Sequence, residues 1–269
     1  MNNFCVYIMR PLRRAFFLFS ALALMTGCAQ IKRIINGPEV IVPQAELPQA
    51  KREDYIDHLA FLSESILKNK NIKFLRLSRK NKEYLESIFI RVVANNELLV
   101  PSEPKPKFHL IDEKIPFIFS LPGYQFFFST GLIKKYFKNE SLLVSAFCFE
   151  IVRSGRNLYE AKRVYPVGYR EVPQVLSLTR LTLETRIEIY KWTYFALKRS
   201  EYDAAALLNW IQTQNKNTLD FSWQIRDPRG VSREEFLFKN FLVSQGLDRS
   251  DQREANSSRN FYKFQDTYR

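Results

Sequence analysis

The chain has 269 residues, enough for one large domain or two small ones, with 46% hydrophobic and 26% charged residues as in ordinary globular proteins. Lys+Arg 41 against Asp+Glu 28 gives a formal charge of +13; eight Gly and twelve Pro exclude collagen-like and low-complexity classes, and three Cys exclude a disulfide framework. There are two His, His58 and His109, so a zinc hydrolase with His ligands would have to use every one.

Met1 to Arg14 carries Arg10, Arg13 and Arg14 and no acid, and a mainly apolar run follows from Ala15 to Met25. A basic start, a short apolar stretch and a small-residue end predict an export signal over 1–27. The run is shorter than the roughly 20 residues that cross a bilayer. Leu24-Met25-Thr26-Gly27-Cys28 resembles a bacterial lipobox. The resemblance implies cleavage before Cys28, acylation of that residue with palmitate-type chains, and a lipid anchor in the cell envelope. Ala29 after the Cys implies the outer membrane, facing the periplasm. Export argues against nucleic acid as the partner of the basic surface. Anionic lipid, cell-wall polymer or an acidic partner fits better.

Residues 28–50, with Pro38, Pro43 and Pro48, read as an extended tether. Apolar residues at 55, 56, 59, 62, 66 and 67 predict a helix over 53–69, and Tyr84, Leu85, Ile88, Phe89, Val92 and Val93 predict another over 79–96. Pro101 to Pro106 is a loop. Phe108–Ile111, Ile115–Ser120 and Tyr124–Thr130 are expected strands, with a turn at Leu121-Pro122-Gly123. A short helix over 132–138 precedes a helix capped by Asn139 and ending near Gly155. Residues 156–176 read as irregular. A long helix over 177–199 follows, then one at 204–214 behind Tyr202-Asp203. Asp227 to Gly230 is an expected turn, and Ser232 caps a helix to Ser244. The polar stretch 247–269 reads as a mobile tail. Helices, a small sheet, then helices predict an α+β domain over 51–246.

Phe119-Ser-Leu-Pro-Gly-Tyr-Gln-Phe-Phe-Phe-Ser-Thr-Gly-Leu132 and Asn139-Glu-Ser-Leu-Leu-Val-Ser-Ala-Phe-Cys-Phe-Glu-Ile-Val-Arg153 resemble the HtpX/Ste-type zinc metallopeptidases, including their BepA-like and LoiP-like periplasmic members. Leu121-Pro122-Gly123 keeps a strand-ending motif of that family, Ser129-Thr130-Gly131-Leu132 keeps a second, and Asn139-Glu140 with Leu143 to Ala146 keeps the entry to the metal-binding helix. Ser200 to Ala204 resembles a further motif, so the likeness runs over about 115–215. It implies a zincin-like α+β fold and a setting in envelope protein quality control. An edge strand that holds extended peptide is also implied; Tyr124 to Phe128 reads either as core or as such an edge.

The family's H-E-x-x-H falls on Phe149-Glu150-Ile151-Val152-Arg153. Two imidazoles at i and i+4 share a helix face and grip one zinc ion. Here Phe149 has no lone pair, Arg153 keeps its proton, and Glu150 alone matches the family's general base. The third ligand position, on the helix after residue 177, fits two registers. One puts Arg186 and Tyr190 there; the other puts Glu184 and Glu188. Either way the resemblance implies a lost zinc site and a pseudo-peptidase that binds or scaffolds proteins. The alternatives are a rearranged metal site built on Glu184, Glu188 and His109, and a structural lipoprotein whose basic face binds anionic lipid or cell-wall polymer. Glu150 sits on a helix that is apolar nearly all round, so it needs a buried partner. Arg153 at i+3 is the expected one, with Glu184 or Glu188 as further contacts. Cys148, on the same helix, reads as a core residue.

Overall fold

A run of amphipathic helices frames a small sheet rich in phenylalanine. The computed structural model describes residues 51–97, 105–160, 171–225, 228–246 and 256–268. The expected signal over 1–27, the acylated Cys28 and the tether to residue 50 lie outside the described residues. In chain order the elements are α1 (Arg52–Lys68), β1 (Phe74–Leu75), α2 (Arg79–Ala94), β2 (Lys107–Ile111), β3 (Ile118–Leu121), β4 (Gln125–Ser129), α3 (Thr130–Lys135), α4 (Glu140–Gly155), α5 (Val172–Leu178), α6 (Leu183–Arg199), α7 (Ala206–Lys216), α8 (Pro228–Ser244) and α9 (Arg259–Tyr268). The architecture is mixed α+β, mainly helical, with one four-stranded sheet.

The sheet order is β1-β2-β4-β3. β2 and β4 are parallel, while β1–β2 and β3–β4 are antiparallel. The β3–β4 turn needs two left-handed residues, Gly123 at φ 78° and Tyr124 at φ 57°. Alternation along the strands sends Phe126, Phe128 and Ile118 to one face, against α4 and the helices behind it. Phe127, Phe119 and Ile111 point to the other face, against α1 and α5. β4 therefore lies inside the sheet, and Phe126, Phe127 and Phe128 are buried. Phe126 to Phe128 are core, Tyr124 and Gln125 are partly exposed, and because β4 lies between β2 and β3 the reading of it as a peptide-binding edge is corrected.

The helix ends follow local chemistry. The side chains of Ser78, Ser129, Asn139 and Thr182 accept from the backbone N–H three residues on, at Asn81, Leu132, Leu142 and Thr185. Thr182 also explains one correction. The stretch expected to be irregular to 176 and then continuously helical is two helices, α5 and α6, because Pro173 suits a first turn and Thr182 opens a new one. Likewise α8 starts at Pro228, within the expected turn. α7 is preceded by Asp203, whose Oδ1 accepts from Ala205 N at 2.9 Å.

Residues 256–268 correct the expectation of a mobile tail over 247–269, of which 247–255 lie outside the described residues. α9 packs on α2 and α3, with Phe261, Phe264 and Tyr268 buried. Tyr268 Oη receives a hydrogen bond from Asn81 Nδ2 at 3.2 Å, and Gln265 Nε2 donates to Phe137 O at 2.8 Å. Polar composition hid an i, i+3, i+7 aromatic stripe. The compact unit accordingly runs from Pro48 to Arg269. Among the described residues no helix is long and apolar enough to cross a membrane.

Candidate functional site

α4 lies across the sheet and is buried from Leu142 to Ser154, so every polar group on it needs a partner. Glu150 finds two on β3. Its Oε2 accepts from Ser120 N and from Ser120 Oγ, both at 2.7 Å. Arg153, one turn on, places Nη1 3.5 Å from the same oxygen. Each residue is 4% exposed. The guanidinium also donates through Nη2 to Thr179 O. It lies over the Tyr159 ring at 4.9 Å, and Tyr159 Oη is 3.3 Å from Ser120 Oγ. Arg153 Nε is buried with no partner among the described residues.

A second charged cluster faces the first from α6. Arg186 Nε donates to Glu234 Oε1 on α8 at 2.9 Å, and Arg186 Nη2 donates to Tyr190 Oη at 3.0 Å. Gln214 Oε1 on α7 lies 3.4 Å from both Arg186 Nη2 and Tyr190 Oη. The Tyr190 ring packs on Phe149, with centroids 4.8 Å apart. Between the clusters is a cavity of about 40 Å³ lined by Phe149, Glu150, Arg153, Arg186, Tyr190 and Gln224, among others. It has room for about three water molecules.

Arg186 and Tyr190 face the cavity. Glu184 and Glu188 are exposed on the other side of the helix, so neither pairs with Arg153, and that expectation is corrected. His109 sits on β2 in register with Phe127, on the sheet face away from Glu150. Its ring stacks on Phe127 at 4.7 Å. The set Glu184, Glu188 and His109 therefore does not converge. His58 is buried on α1, tilted against Tyr55 at 6.1 Å. Cys148 is buried in the α4 core. Cys28 lies outside the described residues.

Burial pushes the Glu150 carboxyl above its ordinary range, opposed by Arg153 and by the two Ser120 donors. Burial also raises the Tyr159 hydroxyl, to about 12. Burial works against the Arg186 charge, but Glu234 and the Tyr190 hydroxyl outweigh it and hold the guanidinium above its ordinary value. His109 is lowered to about 4 by burial and then by Lys107. Burial drives the Cys148 thiol up, which keeps it un-ionised at neutral pH.

The donor set does not fit a zinc ion. Of Phe149, Glu150, Arg153 and Arg186 only Glu150 is a metal ligand by chemistry, and its Oε2 is already engaged between two donors and a guanidinium. Among the described residues no group of three or more His, Cys, Asp or Glu could hold a metal. The Ser120 hydroxyl is committed to the Glu150 carboxylate, and His109 lies on the opposite face of the sheet. The site instead closes the sheet edge. β3 is an outer strand, and two of its outward-facing groups are taken by side chains: Ser120 N by Glu150, and Ile118 O by Gln224 Nε2 at 2.7 Å.

Sequence reasoning missed Ser120, Tyr159, Thr179, Gln214, Gln224 and Glu234. One had a signal. Glu234 lies on the same helical stripe as Phe238, Phe241 and Leu242, and an acid on a core-facing stripe calls for a buried cation. The chain matches no protein-family model and no curated protein.

Proposed function

We propose that this chain is a catalytically inactive, zincin-like relative of the HtpX/Ste-type metallopeptidases, anchored through Cys28 to the outer membrane on its periplasmic side, where it binds or scaffolds envelope proteins. One observation carries the reading. Glu150, at the family's general-base position, is consumed by Ser120 and Arg153 within a buried network. Its Oε2 is tied to the strand and to a guanidinium, and cations stand where metal ligands would be needed. The placement of a long buried helix against the sheet, with a later helix presenting Arg186 towards it, supports the zincin-like reading. Zinc plays no part in the proposed function.

The test has two parts. Zinc per chain is measured by elemental mass spectrometry after equilibration with zinc and dialysis, and casein is followed both for binding and for cleavage. The expected result is no retained zinc, with casein bound and recovered intact. Near one zinc per chain, or casein cleavage abolished by Glu150→Gln, would overturn the reading. So would a chain that neither binds nor cleaves unfolded protein.

A further inference from the structure

The positive charge is not spread evenly. Residues 68–82 hold seven Lys and Arg and no acid, and all seven cations are exposed. Four have local counter-ions: Lys68 with Glu64, Lys73 with Asp112, Arg79 with Glu83 and Lys82 with Glu86. Lys70, Arg76 and Lys80 form no ion pair with any described residue. β2 runs antiparallel to β1 with Leu75 opposite Leu110. The chain leaving β1 therefore runs beside the chain entering β2, where Lys105 and Lys107 are also exposed and unpaired with any described residue.

We propose that this ridge of Lys70, Arg76, Lys80, Lys105 and Lys107 docks the domain on an anionic phospholipid surface. Three observations carry it. The first is the charge itself, five cations unpaired with any described residue along one sheet edge and the helix that follows it, complementary to acidic headgroups. The second is a cost the fold accepts. The first turn of α2 holds Arg79, Lys80 and Lys82 and no acid, although cations at a helix N-terminus oppose its dipole. α1 follows the stabilising rule, with Glu53 and Asp54 in its first turn. A local violation of this kind marks a surface kept for something other than stability. The third is Leu67, 40% exposed at the head of the run, an aliphatic side chain beside cations, which suits the boundary between headgroups and acyl chains.

The choice of a bilayer over a soluble polyanion rests on the lipidation expected at Cys28; the ridge does not depend on it. An acylated Cys28, 24 residues before Arg52, would keep the ridge close to the membrane, where weak contacts act at high effective concentration.

Both hydrophobic clusters close within Tyr55–Tyr268, so a chain of residues 48–269 carries its whole core and tests the ridge without the anchor. Its binding is measured by co-sedimentation with vesicles of phosphatidylcholine alone and of phosphatidylcholine with phosphatidylglycerol. The expected result is binding to the anionic vesicles only, falling steeply with added salt. Lys70→Glu/Arg76→Glu/Lys80→Glu is expected to lose at least about 100-fold in affinity, at roughly fivefold or more per cation. Lys198→Glu/Arg199→Glu/Lys216→Glu, the same charge change on exposed positions of α6 and α7, should lose far less. Lys80→Glu alone should bind more weakly yet unfold at a higher temperature, which separates lost docking from lost folding. Equal losses in the two triple variants would show a diffuse charge effect and overturn the proposal. Binding to a soluble polyanion such as polyphosphate, but not to the vesicles, would overturn the bilayer. Mass measurement of the mature N-terminus tests the anchor separately.

Discussion

The carboxylate of Glu150 and the backbone N–H of Ser120 meet at 2.7 Å, joining the middle of a buried helix to the outer strand of the sheet. The strand thereby satisfies an N–H that would otherwise face a partner strand, and the helix satisfies an acid that apolar neighbours would otherwise leave stranded. Arg153 completes the arrangement from the next turn.

Removing the cation alone leaves that acid without compensation. Arg153→Met is expected to destabilise the fold by about 3 kcal/mol at neutral pH. Adding Glu150→Gln should restore part of this, because the amide oxygen still accepts from Ser120 and carries no charge. Urea unfolding of the two single variants and the double variant measures the coupling. Strictly additive losses would show that the pair acts as two separate residues.

The acid also gives a pH dependence of definite sign. The folded state raises the Glu150 pKa, whereas an unfolded Glu titrates near about 4.3. The folded chain therefore holds this proton more tightly. Stability from Glu150 is fully present below the unfolded value and declines as pH rises through the folded one. Relative to the parent, Glu150→Gln should gain stability as pH climbs above about 4. Urea midpoints for both chains across the acid-to-neutral range would show it, and a trend in the opposite direction would refute the raised pKa.

Gly131 is expected to tolerate no side chain. A Cβ there would lie 2.1 Å from Lys114 O and 2.9 Å from Glu113 O, while Gly131 N donates to Glu113 O at 2.9 Å. Gly131→Ala must push backbone away from backbone, at a cost of about 1–3 kcal/mol. Thermal unfolding should register a clear fall in Tm. Gly123→Ala, with open space around its Cβ, should suffer only from its left-handed backbone.

The C-terminal helix should prove part of the fold. Phe261 is fully buried, and its ring lies 5.6 Å from that of Tyr262. Phe261→Ala is expected to cost about 3–5 kcal/mol. Tyr262 is half exposed, and its removal should cost little. Hydrogen exchange offers a direct check, since protected amides over 259–268 are expected and fast exchange there would show a detached tail.

How legible all this was in the sequence depended on whether the signal was local. Helices with a clean apolar stripe, such as α1 and α2, could be read from spacing, and α4 from its Asn139 cap and its nearly continuous apolar run. The two-residue strand β1 carried too little pattern to be seen. α9 was hidden because its average composition is polar while its apolar residues share one face. At the site, Arg153 as a partner for Glu150 followed from helical spacing. Ser120, Thr179 and Glu234 reach it from other parts of the chain, and single-chain periodicity holds no record of such contacts. The register on α6 remained open for the same reason. Only the packing of α6 against α4 shows that Arg186 faces inward and Glu184 outward.

Arg186 has a consequence for anyone trying to build a metal centre into the chain. Its guanidinium is held in place by Glu234 and by the Tyr190 hydroxyl, facing the same space as Phe149 and Arg153. Histidines installed at 149 and 153 would therefore meet a fixed positive charge where a third ligand belongs. Replacing Arg186 in turn would strand Glu234, which is 2% exposed. Each single substitution lowers stability before it yields any binding, so the network is locked: its residues can be exchanged only together.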